Sequence, residues 1–554
     1  MTRTAPLFLA ILVASAGHAF GANRAPRTAT RDTRRVQLGS VNFKTSCSAE
    51  VQQKMNQAVA LLHSFQYQQS ESAFSKVAQH DPRCAMAYWG QAMSLYHQLW
   101  DFPDADTLAK GRADVEQAQK LNAKTQTERD YITAAAAFYQ NNSGIGHQTR
   151  VAAYARAMQA VYKDSPRDPD AAGFYALALV NLAAYQDETA NLKKAIAILQ
   201  PMFSRYPDNP GLAHYLIHAS DTPELAPRGL AAARGYAKIA PDSSHALHMP
   251  SHIFTRLGLW QESIDSNIAA VASAKEATLA HEADSGYQTH AMDFLNYAYL
   301  QSGQAAKARQ VVADLKNVPG AGADDIAGEE AWLAARDALE THQWKEAAAL
   351  PVPNVKLSWQ ETTFFVRAMG GARSGNPQAA RADLTRLEAA VNAQRSEEQK
   401  MGYSASSGPS IDQQEVEAWI DYAEGKTDAA LRTLRAAADK QDAGHINLLD
   451  MPAREMLGDM LLAAKQPNDA LAAYRLDLKE SPNRFDGLWG AARAAGAAGN
   501  PAAAREYYSK LIAICGASAD RPELAQARVY LNKVSARAQR TVAETESGTL
   551  NHHN

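Results

Sequence analysis

Apolar residues recur at i, i+3, i+4 and i+7 along almost the whole chain, in alanine-rich segments broken by short Pro, Gly, Asn and Asp turns. Strand-like alternation is scarce. Residues 51–82, VQQKMNQAVALLHSFQYQQSESAFSKVAQHDP, predict one helix, a turn near Phe65–Tyr67 and a second helix ending at Asp81–Pro82, and the next helix begins at Ala85. Residues 467–482, PNDALAAYRLDLKESP, repeat the second helix, with Ala470 and Tyr474 at packing positions and Pro482 closing it. Residues 501–515 repeat it again. The pattern predicts an all-α chain of helical pairs.

This pattern resembles the tetratricopeptide repeat family, whose unit of about 34 residues holds two antiparallel helices. The resemblance covers most of residues 48–535, with irregular repeats in the middle. It implies a right-handed α-solenoid, because a single helical pair cannot bury its apolar face alone. The segments AMAYWGQAM, LAHYLIHASD, HALHMPSHIFTRLGLW and THAMDFLNYAYLQSG are similar to those of a group of exported bacterial members of that family. That likeness bears on the fold and says little about chemistry. The expected organisation is a solenoid over 46–393 with a His-rich groove at 207–300, a polar loop at 394–411, further repeats over 412–535 and a disordered tail at 536–554.

The N-terminus changes the picture of where the protein works. Arg3 precedes an apolar run from Ala5 to Ala16, too short to span a bilayer comfortably, and small residues follow. Residues 1–21 are expected to be a secretory signal peptide, and 22–45 a flexible lead-in. No cysteine lies directly after the run, and no later segment is apolar for long enough to cross a membrane. The expected localisation is exported, periplasmic in a Gram-negative source.

Composition narrows the partners. The 554 residues carry a formal net charge of −3, with no basic run that could track a phosphate backbone, so a nucleic-acid partner is not expected. Three cysteines are too few for a thiolate cluster. Within the repeat register implied by the resemblance, Cys47 and Cys84 precede consecutive first helices, so a disulfide between them is expected and Cys515 stays free. Tyr88, Trp89, Tyr96 and Trp100 are expected mainly between repeats.

Histidine is 16 of 554 residues, yet seven lie between His214 and His290. PDNPGLAHYLIH begins at Pro207 and PDSSHALHMPSH begins 34 residues later at Pro241, one repeat on. His214 then maps onto His248 and His218 onto His252, and each i, i+4 pair lies on one helix face. Aligned on Gly258 and Gly303, His245 maps onto His290, His248 onto Asp293 and His252 onto Tyr297. By resemblance this face lines the inner groove. His63 and His97 echo the register near the N-terminus and are expected in the groove as well.

Two histidines and a carboxylate from a neighbouring helix suit Zn, Fe(II) or Cu. The candidate ligands are His214, His218, His245, His248, His252, His290 and Asp293. Pro250 lies between His248 and His252, where it either starts a helix or kinks one. No HExxH, Gly-rich phosphate loop, G-x-S-x-G elbow or Cys/His nucleophile arrangement is present. Three readings stand: a site for a small ligand or divalent metal, a metal-dependent enzyme, and a non-catalytic scaffold for a peptide or protein. Because the polar signal sits in three repeats instead of spreading along the groove, the first is preferred. Substrate and oligomeric state are not legible.

Overall fold

The computed structural model describes residues 36–99, 102–140, 144–400, 408–444 and 448–534. The expected signal peptide, most of the lead-in, Trp100, part of the 394–411 loop and the tail beyond residue 534 lie outside the described residues. Among the described residues there are 25 α-helices and no strand, and none of the helices is long and apolar enough to cross a membrane.

The helices form antiparallel pairs, as the periodicity predicts. Gln52–His63 turns through a left-handed Phe65 (φ 53°) into Tyr67–His80, and Ala85–Ser94 opens the next pair. Small residues set the spacing. A Cβ on Gly90 would lie 2.3 Å from the Phe74 ring, so that ring lies directly on the backbone of the neighbouring helix. Tyr474 does the same at the other end of the chain: a Cβ on Gly458 or Gly490 would lie 2.7 or 2.2 Å from its ring. Fully burying each such aromatic stabilises by about 1.5–3 kcal/mol.

Neighbour stacking is only part of the packing. The coil winds tightly enough that distant repeats touch across it. Near the N-terminus, Gly39 (φ +84°) lies so close to Asp208 O that a Cβ would fall 2.7 Å away, and Ser40 N donates to that oxygen at 2.8 Å. Leu38 and Phe43 are buried, and Phe43 stacks on Trp89 at 5.3 Å. The expected flexible lead-in is therefore a docked strap from Val36 onward, held by its two apolar side chains. Cys47 and Cys84 are joined as a disulfide with Cα atoms 4.8 Å apart, and Cys515 is a free, half-buried thiol that burial pushes up to about 12.

Near the C-terminus the last repeats fold back onto the middle ones. A Cβ on Gly258 would lie 2.2 Å from Pro482 O, and Trp260 Nε1 donates to Asn483 O at 2.7 Å. Arg484 is buried between Glu340 and Glu455. The boundary expected at residue 394 falls inside the Pro377–Lys400 helix. Within the expected 412–535 stretch, residues 412–444 and 448–534 are thus a coil of the same solenoid, docked on the repeats before it.

Candidate metal centre

Four helices deliver the clustered histidines. His214 and His218 lie one turn apart on Pro210–Ala219, whose N-terminus is capped by Asn209 accepting from Leu212 N at 3.1 Å. His245 and His248 belong to the short Ser244–His248 helix, capped by Ser243. His252 lies on Pro250–Arg256 and His290 in the first turns of Gly286–Gln301. Pro250 both starts a helix and breaks one. Its missing N–H is lost at the first position of the new helix, where it would have no intrahelical partner. Met249 keeps a right-handed conformation, so the two short helices run on as one bent rod. His245 and His248 lie on the same short helix yet join different clusters, and His252, beyond Pro250, joins His248.

The first triad converges through Nε2 atoms: His214 Nε2 lies 3.1 Å from His218 Nε2 and 3.1 Å from His245 Nε2. In the second, His248 Nε2 lies 3.0 Å from His252 Nε2, and His290 is the third member. Within each triad all candidate ligand atoms lie within 4.8 Å of one another. A tetrahedral ion with M–N bonds of about 2.05 Å needs donors about 3.3 Å apart, so both triads are near the required size. Three donors leave at least one position open on each ion.

The other ring nitrogens explain the orientation. His214 Nδ1 lies 2.6 Å from the His63 carbonyl, which only accepts, so Nδ1 carries the proton and Nε2 the lone pair. His252 Nδ1 donates to Asp221 Oδ2 at 2.8 Å, and Asp221 Oδ1 accepts from Arg256 Nε at 3.0 Å. His248 Nδ1 donates to Asn267 Oδ1 at 2.8 Å, and Asn267 Nδ2 donates to Ser263 O at 2.9 Å, which fixes the amide's direction. Such outer partners set the tautomer and basicity of metal-ligating histidines.

The electrostatics favour neutral rings. Burial pulls His214 down to about 3, with neighbouring imidazoles adding to the shift. Burial likewise lowers His290 to about 4, helped by His252, and holds His218, His245 and His248 well below the ordinary value. Burial alone would raise Asp221, but Arg256 and His252 outweigh it and hold the carboxyl at about 2. Near neutral pH His214, His218, His245, His248 and His290 are thus unprotonated, the state a metal requires.

The walls are aromatic. Phe65 stacks on His218 and His245, both at 5.5 Å, and meets His214 edge-on at 4.4 Å. Phe294 contacts His248, His252 and His290 at 4.8, 4.6 and 5.2 Å. Neither phenylalanine stood out in the sequence, and only the positive φ of Phe65 marks it afterwards. His214, His245 and His248 are buried, while His218, His252 and His290 are half-buried and form the accessible side.

The remaining expected residues have other duties. Asp293 belongs to neither triad: its Oδ1 accepts from Arg336 Nη1 and from Trp332 Nε1 at 3.1 Å, which commits it to a buried ion pair. Both triads are therefore all-imidazole, in place of the expected two histidines and a carboxylate. Tyr297 lies in the C-terminal seam, its hydroxyl accepting from Arg484 Nη1 at 2.9 Å. His63 is buried between Tyr215 and Asp170, at 2.9 and 3.0 Å, and reaches the centre through its carbonyl. Gly211 makes that possible, since a Cβ there would lie 2.3 Å from the His63 ring. His97 stacks on Tyr67 at 4.6 Å, outside both triads. The groove expected to be open along this face is filled at the first triad by the turn after Gln52–His63.

The pairing of helices and their stacking make this chain a tetratricopeptide-like α-solenoid. No protein-family model matches it, and no curated protein matches it. Among solved structures it is similar to the human IFIT1 dimer with m7Gppp-AAAA, at 13% identity over 82% of this chain and 94% of that one, with a TM-score of 0.36. It is also similar to a monomeric IFIT1 mutant with Gppp-AAAA, at 13% identity over 85% and 96% of the two chains, TM-score 0.36.

Proposed function

We propose that this chain is an exported solenoid protein that binds divalent metal, Zn, Fe(II) or Cu, through the imidazoles of its two triads. The observation that carries the reading is the convergence of ring nitrogens in each triad, with His214 Nε2 3.1 Å from His218 and His245 Nε2, His248 Nε2 3.0 Å from His252 Nε2 and His290 beside that pair, and outer ring nitrogens held by a carbonyl, an amide and a carboxylate. A structural histidine normally gives one nitrogen to a backbone acceptor and the other to solvent or a donor. Here the inner ring nitrogens converge on one another, an arrangement that a cation can bridge. The inward aim also weighs against the alternative, a peptide-binding scaffold, because rings turned toward each other offer little to a peptide. A small molecule is accommodated at the open coordination position on the side of His218, His252 and His290, and metal-dependent catalysis would take place there. The signal-peptide pattern of residues 1–21, the segments shared with exported bacterial tetratricopeptide proteins and the Cys47–Cys84 disulfide support export.

Elemental analysis of mature protein purified without an affinity tag, followed by titration of chelator-stripped protein with Zn, Fe(II) and Cu, tests the reading. Stoichiometric metal that falls on substituting His214→Ala or His248→Ala is expected. A tag-free protein that rejects all three metals overturns it, as does full binding retained by the double variant.

A further inference from the structure

We propose that the two triads are halves of one dinuclear copper centre whose ligand is dioxygen. This rests on the metal-binding reading above and adds the number of ions, their identity and the molecule they take.

The first argument is adjacency. The His218 ring is 6.1 Å from His252, and His245 is 6.1 Å from His248. Those gaps between triads match the spread within them, 6.5 Å from His218 to His245 and 6.0 Å from His252 to His290. His245 and His248 are neighbours on one short helix, yet belong to different triads. Two ions seated in these cups would be neighbours across the facing rings. Working two-metal sites have separations of about 3.5–4 Å, a span that one small bridging molecule closes.

The second argument is charge. Six imidazoles bring no negative charge to the site. The nearest carboxylates are spent: Asp221 on Arg256 and Asp293 on Arg336. Two dications between the Phe65 and Phe294 walls would place four positive charges in a poorly solvated space, at high electrostatic cost. Paired iron and manganese sites meet this cost with several carboxylate ligands, which are absent from both triads. Copper avoids it, because its monovalent form halves the charge and accepts three imidazoles. Copper also leads the divalent affinity order for nitrogen ligands.

The third argument is that the reaction keeps the charge constant. Dioxygen enters from the side of His218, His252 and His290. Each Cu(I) gives it one electron, one of the two bonds between the oxygen atoms is lost, and peroxide forms as a dianion bridging two Cu(II) ions. No proton or outside reductant is consumed. The site holds two net positive charges before and after, so its apolar walls oppose neither state.

The test uses the full mature protein, stripped of metal and free of any tag. It is loaded with Cu(I) under nitrogen, washed and then exposed to oxygen. The expected result is two copper ions per chain, and an intense near-ultraviolet peroxide-to-copper band that appears with oxygen and fades under vacuum. The electron paramagnetic signal of the oxygenated form should integrate to far less than two spins, because a bridged Cu(II) pair is antiferromagnetically coupled. His290→Ala should leave one copper, whose oxidised form integrates to one full spin. The unmodified protein carries the decisive readings, so a variant that misfolds does not blunt the test. One copper per chain, or two with two independent spins, overturns the paired centre while leaving metal binding intact. A coupled pair with no oxygen-dependent band overturns dioxygen as its ligand. Failure to bind any metal overturns both this inference and the reading beneath it.

Discussion

The seam around Arg484 and the seam around His214 both join helices far apart in sequence, and both bury polar groups. At the first, charge is answered locally. Arg484 donates to Glu455 at 2.9 and 3.0 Å, to Glu340 at 3.0 and 2.9 Å and to Tyr297 at 2.9 Å, and Arg521 pairs with Asp486 at 3.0 Å. At the second, outer nitrogens are satisfied while inner ones face each other. At the Arg484 seam two arginines hold the coils together, while burial and neighbouring carboxylates push Glu455 and Asp486 up to about 7, since the buried acids outnumber the cations. At the His214 seam the converging imidazoles form cups that a cation would complete. One long-range seam thus fastens coils together, and the other gathers bases around a cup.

The comparison breaks most visibly at Arg484. Arg484→Ala leaves two buried glutamates facing each other, at an expected cost of about 3–5 kcal/mol. Urea denaturation reads it, and a loss under about 1 kcal/mol would mean that this seam is not closed by charge.

Acid should separate the seams next. In the unfolded chain the histidines titrate near 6.5, whereas His290 and His214 are held at about 4 and about 3 by burial and neighbouring rings. As pH falls from 6.5 through that range, the unfolded chain binds protons that the folded one refuses, so stability drops, by on the order of a few kcal/mol. It levels off once the folded-state values are passed. Glu361 and Asp412, pushed up to about 8 and about 7 by burial and nearby carboxylates, act in the opposite direction. The histidine share is thus read as the difference between metal-free wild type and His290→Gln across the pH series. Parallel curves would refute it.

Smaller substitutions sharpen the His214 side. Gly211→Ala places a methyl group against the His63 ring, whereas Gly173→Ala meets Tyr215 at an ordinary 3.6 Å. The first should cost about 1–3 kcal/mol and weaken metal binding, the second neither, as thermal melts and titrations would show. Equal behaviour of the pair would take the His63 carbonyl out of the account. Asn267→Ala should lower affinity about 10–100-fold at the second triad alone, in competition with a chelator. An unchanged competition curve would deny Asn267 its orienting role.

Much of this was legible from local pattern. Tyr474, read as a packing position, lies on two glycines, and the 34-residue register brought His214, His218, His248 and His252 to one region. What the pattern could not supply depends on the pitch of the coil. Whether His63 meets His214 or Arg484 meets Tyr297 follows from small rotations summed over many repeats, which no single repeat encodes. Asp293 matched the histidine register, yet Arg336, 43 residues onward, claims it. The division of the cluster into triads runs between His245 and His248 on one short helix, a split the 34-residue register does not contain.

The bond from His214 Nδ1 to the His63 carbonyl crosses 151 residues. A solenoid built from neighbour contacts can grow from any point along the chain, but a contact of this reach forms only after many repeats are in place. Helical hairpins should thus assemble early and the first triad should be finished late. Metal uptake then acts as a clock for maturation. In refolding experiments, far-ultraviolet ellipticity should recover before the capacity to hold metal, and simultaneous recovery would show that the cup exists before the coil closes. An ion that arrives too soon meets loose imidazoles on separate hairpins, and one that arrives after closure meets a finished vessel.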